Sequence, residues 1–138
     1  MPIELPSRKF LNLEAIKILA AAAEREAAAR NVSVTICITD ESGNLLFLQK
    51  ADGLGLNTIE FAQRKAKYAA IYARPSAIAE EQLKGGNMGV LLFPGAFPLR
   101  GALPIKVDGK TIGAIGCSGA PSEVDEMICQ AAIDTLLG

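Results

Sequence analysis

Asp108-Gly109 stands between two apolar runs, Ala102 to Val107 and Thr111 to Cys117, the strongest short-range signal for a β-hairpin closed by a two-residue turn. Such a turn needs positive φ at both central positions, which Gly adopts freely and Asp tolerates. After Cys117 the chain passes through Ser118-Gly119-Ala120-Pro121, and Ser122 precedes Asp125 by three residues, an acidic capping box. A helix is expected from about 122 to 137, with Val124, Ile128, Ala131, Ala132 and Leu136 on its apolar face. Strand, turn, strand, glycine corner and helix form one unit against which the rest of the chain can pack.

Upstream, Asn12 is placed to cap a helix over 13–30, with Ile16, Leu19, Ala20, Ala23 and Ala27 at helical spacing and Asn31 at its end. Val32–Thr39 and Leu45–Gln49 read as strands, and Asp40-Glu-Ser-Gly-Asn44 between them has turn chemistry, so they pair antiparallel. A second helix starts at Asn57 or Thr58 after a glycine-containing loop and stops before Pro75, and Ser76 caps a short helix over 77–84. The segment Gly85–Gly101 is rich in glycine and proline, with a short strand expected over Val90–Phe93. The order predicts an α+β domain spanning residues 1–138, a five-stranded antiparallel sheet with helices on both faces.

Several kinds of function are disfavoured at once. Fourteen basic residues against fifteen acidic give a net charge of -1, so no basic field for nucleic acid is present. With no histidine, a histidine base, triad or iron ligand is excluded within one chain. Cys37, Cys117 and Cys129 lie far apart without a C-x-x-C motif, which argues against a zinc site or disulfide framework and for reduced thiols in a cytoplasmic protein. No run approaches the roughly 18 apolar residues of a membrane span, and the first residues lack the apolar core of a signal peptide.

The candidate chemistry is diffuse. Gly113, Gly116 and Gly119 recur every three residues and do not form a G-x-G-x-x-G fingerprint, so they are expected to permit close packing rather than to hold a dinucleotide. Arg64, Lys65 and Lys67 crowd the middle of the second helix, either as a solvated face or as cations for a carboxylate at a subunit contact. Cys117, at a strand end beside a glycine corner, is either a small buried apolar residue or a thiol activated as nucleophile or iron ligand. Met88, Leu91, Leu92, Phe93 and Phe97 need cover from the sheet, another subunit or a ligand.

Gly101-Ala-Leu-Pro-Ile105, Asp108-Gly109, Ile112-Gly-Ala-Ile-Gly-Cys-Ser-Gly119 and Asp125-Glu126, with Thr39-Asp-Glu-Ser-Gly-Asn-Leu45 and Arg64-Lys-Ala66 before them, resemble the GlcG/HbpS family. This is the DUF336 domain, found also at the C-terminus of PduO-type corrinoid adenosyltransferases, and the likeness runs from about residue 11 to 137. It implies a profilin-like fold and a homo-oligomer, often an octamer built from dimers, and some members bind haem. This chain differs in having Gly101-Ala102 where two glycines are common, Cys117 where valine is usual, and Lys50-Ala51 where a basic residue and methionine often stand. For haem, Cys117, Met88 and Tyr72 are the candidate iron ligands. The resemblance and the residues together nominate Lys65, Arg100, Gly101, Cys117 and Asp125 for ligand binding, with the catalytic residues unknown. Three functions follow: a binding module for a planar or carboxylate-bearing small molecule; an isomerase or lyase for a small carboxylic or hydroxy acid, with Lys65 or Arg100 holding the carboxylate and Asp40, Asp52 or Asp125 moving a proton; or an accessory subunit of glycolate or diol metabolism.

Overall fold

In the computed structural model, which describes residues 1–138, Asp108 and Gly109 take φ of 53° and 76°, as a two-residue hairpin turn requires. They join β3 (Ala102–Val107) to β4 (Lys110–Ser118), paired antiparallel with Ala102 opposite Gly116. The chain order before them is α1 (Leu13–Ala29), β1 (Thr35–Asp40), β2 (Leu45–Lys50), α2 (Asn57–Tyr72), α3 (Ala77–Lys84) and a short 3-10 helix (Met88–Leu92), and α4 (Ser122–Leu137) follows. The sheet runs β2-β1-β4-β3 with every neighbouring pair antiparallel. No helix is long and apolar enough to cross a membrane.

The sheet has four strands and not the expected five, because Val90–Phe93 does not extend. Asn87 caps the 3-10 helix by accepting from the Gly89 amide, Phe93 N donates to Val90 O, and Pro94 follows without an amide to offer. The start of the free edge of β3 is also already occupied. Ser76 N donates to Ala102 O, and Ala102 N donates to Ser76 Oγ.

That second bond corrects the reading of Ser76 as a helix cap: its hydroxyl binds β3 instead, and α3 has no side-chain cap. Thr58 does not cap α2 either; its hydroxyl donates to Gly55 O and meets Thr35 Oγ1 at 2.8 Å. Ser122 is the first residue of α4 rather than its cap, so the expected box does not form, and Asp125 Oδ1 accepts instead from Ala120 N, ahead of the helix. Asn12 and Asn31 behave as expected, the first accepting from Ala15 N and the second adopting φ 56°.

Helices lie on both faces of the sheet. On one, α1 and α4 bury Leu19, Ala23, Ile128 and Ala132 against Ile36, Ile38, Ile105 and Ile115. The five isoleucines of that group are enclosed, each contributing roughly 1.5–3 kcal/mol. On the other face α2 presents Ala62, Ala66, Ala69 and Ala70 to Cys37, Ala102 and Ala114. Small side chains on both sides let the helix axis come close, and Gly116 takes this furthest: a Cβ there would stand 2.8 Å from Ala62 O. The glycine spacing in β4 thus serves packing, as its departure from a nucleotide fingerprint implied.

Candidate functional site

Four of the five nominated residues meet at the corner where β3 begins and β4 ends. Lys65 reaches from α2, on one face of the sheet, to Asp125 of α4, on the other, closing an ion pair of 3.4 Å. Its Nζ also donates to Cys117 O at 3.0 Å. Gly101 adopts φ 133° beside them, and a Cβ there would lie 2.7 Å from Lys65 Nζ, so a side chain at that position would push the ammonium out of its place. Gly101 O accepts from Cys117 N and from the Cys129 thiol.

This corner is sealed. Lys65 is 3% exposed, Asp125 1% and Cys117 0%. Burial pushes the Asp125 carboxyl up to about 6, against the opposing pull of Lys65 and the Ala120 amide. Cys117 contributes its carbonyl to the corner, while its thiol faces the core among the α1 and α4 side chains. Burial, with the neighbouring Cys117 thiol adding to it, raises Cys129 well above the usual thiol range, and burial pushes Cys37 up to about 12. Neither Cys37 nor Cys129 is a thiolate at neutral pH.

Arg100 lies next to the corner but belongs to a different network. Its guanidinium donates to Glu81 at 3.0 Å and lies 3.7 Å from Glu126, and its amide donates to Glu80. Burial raises the Glu126 carboxyl; Arg100 pulls it back, and Glu80 and Glu81 raise it further. Arg100 therefore faces three carboxylates of its own chain. Asp40 is remote, the last residue of β1. Burial acts against its ionisation, yet donors from Asn44 and Ser42, with Arg8 nearby, hold its carboxyl below the usual range. Asp52 is exposed in the loop before α2. Sequence reasoning had no signal for the Glu80, Glu81 and Glu126 convergence, because it joins α3 to α4 through Arg100.

Along α2 and the segment after α3 runs a cluster of aromatic rings, in which Tyr68 is buried, Tyr72, Phe61 and Phe97 are half-buried and Phe93 is exposed. Tyr68 and Tyr72 stack at 4.6 Å, Phe93 continues the stack at 6.2 Å, and Arg74 lies over both tyrosines. Further along, Phe97 meets Phe61 edge-on and Arg64 lies over its ring. The segment after α3 is thus laid along the helix, yet Met88, Leu91, Leu92 and Phe93 remain exposed, Leu92 by 86%. Tyr68 and Tyr72 stand four residues apart in the sequence, the spacing of neighbours on one helix face, and that was the available signal.

Residues 11–134 match the family model described as "Haem degrading protein HbpS-like". The chain is 32% identical over 114 residues to Protein GlcG of Escherichia coli K12, which covers 83% of this chain and 85% of GlcG. Among solved structures, Klebsiella pneumoniae ORFY superposes with a TM-score of 0.87 at 26% identity, covering 99% of this chain and 97% of that one. A double mutant of Streptomyces reticuli HbpS superposes with a TM-score of 0.86 at 29% identity, covering 100% and 97%.

Proposed function

The chain belongs to the HbpS-like family, and on that premise we propose that it is a homo-oligomeric small-molecule-binding protein. Its ligand is planar and carboxylate-bearing, haem being the candidate that the family description supports. The ligand lies against the exposed apolar side chains of the 88–93 segment, and a second copy of the chain covers it. The exposed apolar surface carries this reading: Met88, Leu91, Leu92 and Phe93 stand open to solvent beside a stack of aromatic rings. A patch of this character is where a soluble chain meets a ligand or a partner. The three buried, unpaired thiols support a reducing, cytoplasmic setting, and the family resemblance implies an octamer built from dimers.

For haem, the exposed side chains of Leu91, Leu92 and Phe93 offer an apolar wall for the macrocycle, and three residues were candidates for the iron. The Cys117 thiol is enclosed in the core. The Tyr72 hydroxyl donates to Pro94 O at 2.6 Å. Met88, 63% exposed on the same segment, is the thioether this chain can offer, and haem so held would supply the redox chemistry of its iron. Lys65, Gly101 and Asp125 act behind this surface, as the joint from which the segment's C-terminal end is hung.

The enzyme reading, an isomerase or lyase for a small carboxylic acid, has one observation in its favour, the buried carboxyl of Asp125 beside Lys65. Lys65 and Arg100 are both neutralised inside the chain, so neither is free to hold a substrate carboxylate, and binding is the better-supported function. Titration of the full chain with haemin tests it: a saturable Soret shift is expected, weakened at least tenfold in Met88→Ala and unchanged in Cys117→Ala. Absence of any shift disposes of haem. A monomer in sedimentation velocity disposes of the shared site.

A further inference from the structure

Between α2 and strands β1 and β2 a groove of about 210 Å³ opens. Cys37, Thr39 and Leu45 line it on the sheet side and Arg64 and Lys67 on the helix side, with Gly43 at its end. No acidic side chain lines it, in a chain with more acids than bases. We propose that this groove is a binding site for a small organic carboxylate, reached from the side of β1 and β2 and independent of whether the 88–93 segment holds haem, although Arg64, which lines the groove, also lies over the Phe97 ring just beyond that segment.

Both cations are held in position. Glu60 accepts from Arg64 Nε at 3.1 Å, and the Phe97 ring lies under the guanidinium. The two terminal nitrogens, the pair that grips a carboxylate in parallel, make no hydrogen bond within the chain. Lys67 has no anionic partner, although Arg64 and Lys65, the other two cations of α2, each have one. Its stem is laid over the β1–β2 turn, where a Cβ on Gly43 would stand 2.7 Å from Lys67 Cγ. Gly43, at φ 80°, both makes the turn and leaves room for the lysine.

Size and chemistry limit the ligand. Two unit charges three residues apart on one helix repel each other, and an anion between them removes that repulsion. At roughly 30 Å³ for each water, the groove has the volume of about seven waters, enough for a carboxylate with a tail of a few carbons. Leu45 gives that tail an apolar wall. The Cys37 thiol beneath, kept protonated by burial, adds no competing negative charge.

The test uses the full chain with sodium butyrate, followed by calorimetry and by mass-spectrometric footprinting of lysines with an acylating reagent. Saturable binding is expected, with Lys67 protected at least fivefold and Lys84, which is not part of the groove, unchanged. Affinity is expected to fall at least tenfold in Arg64→Met and in Lys67→Met, both surface changes, and to be at least tenfold weaker for butyramide on the wild-type chain. Absence of saturable binding overturns the proposal. So does binding without protection of Lys67, butyramide bound as tightly as butyrate, or inorganic phosphate bound as tightly as butyrate, which would make the groove a general anion trap. Loss of haemin binding leaves this result untouched.

Discussion

Lys65 and Asp125 belong to helices on opposite faces of the sheet, yet their charged ends meet at 3.4 Å around the corner between Gly101 and Cys117. An enclosed ion pair gives little net stability relative to apolar packing, but removing one partner leaves a buried charge. The pair therefore acts as a clamp whose halves depend on each other, and the consequences are measurable.

Replacing one half is expected to be severe and replacing both mild. Lys65→Met should destabilise the chain by about 3–5 kcal/mol at pH 7.5, and Lys65→Met with Asp125→Leu should recover most of that loss. At pH 4.5, where the stranded carboxyl can hold its proton, the single variant should be hurt less. Urea unfolding at both pH values measures this. Equal losses in the single and double variants would mean that the lysine matters through packing alone.

The raised Asp125 carboxyl makes a signed prediction. Its folded value is about 6 and its ordinary value 3.8, so between these the folded state binds more protons than the unfolded state. Stability from this group is then fully present below about pH 4 and is lost as pH rises towards 6. The difference is about 2 pH units, or about 3 kcal/mol. The stability of wild type relative to Asp125→Asn should fall over that window and be flat above it. A difference that rises with pH would show that Lys65 dominates over burial.

Gly116→Ala probes the contact between β4 and α2. The added methyl would lie 2.8 Å from Ala62 O and 3.0 Å from Ala66 N, both backbone atoms of a helix that can yield only by moving bodily. A loss of about 1–3 kcal/mol is expected, the range for overpacking a filled core. Thermal unfolding compared with wild type reads it, and an unchanged midpoint would mean that α2 is less tightly seated than described.

All three thiols should be silent in the native protein. Cys37, Cys117 and Cys129 are each 0% exposed, so reaction with a thiol-specific chromogenic reagent waits on local opening. No fast-reacting thiol is expected before denaturant and three after it. Rapid labelling of Cys117 in the native state would reopen its candidacy as an iron ligand.

Much of this fold can be read along the chain because its signals are local. Asp108-Gly109 demands a tight turn wherever it stands, Asn12 finds its acceptor role within three residues, and the apolar spacing from Val124 to Leu136 can only be a helix face. Errors arose where a residue had two uses and tertiary contacts chose between them. Val90–Phe93 has the composition of a strand, but Ser76 already occupies the start of the edge it would have joined. Ser76 and Thr58 have the chemistry of helix caps and spend it elsewhere.

The site divides in the same way. Residue type excluded histidine chemistry within the chain, and the family resemblance taken with the residues nominated Lys65, Gly101, Cys117 and Asp125, along with Arg100, before their proximity was known. Their meeting place depends on β4 running past α2 on one side and α4 on the other, an arrangement separated by up to 60 positions in the chain and invisible to any local pattern. Folding also decided that these charges are spent on each other, while Arg64 and Lys67, on the same helix, face an open groove. Which side chain neutralises which is a matter of distance through space, and only the packed sheet and its helices set that distance.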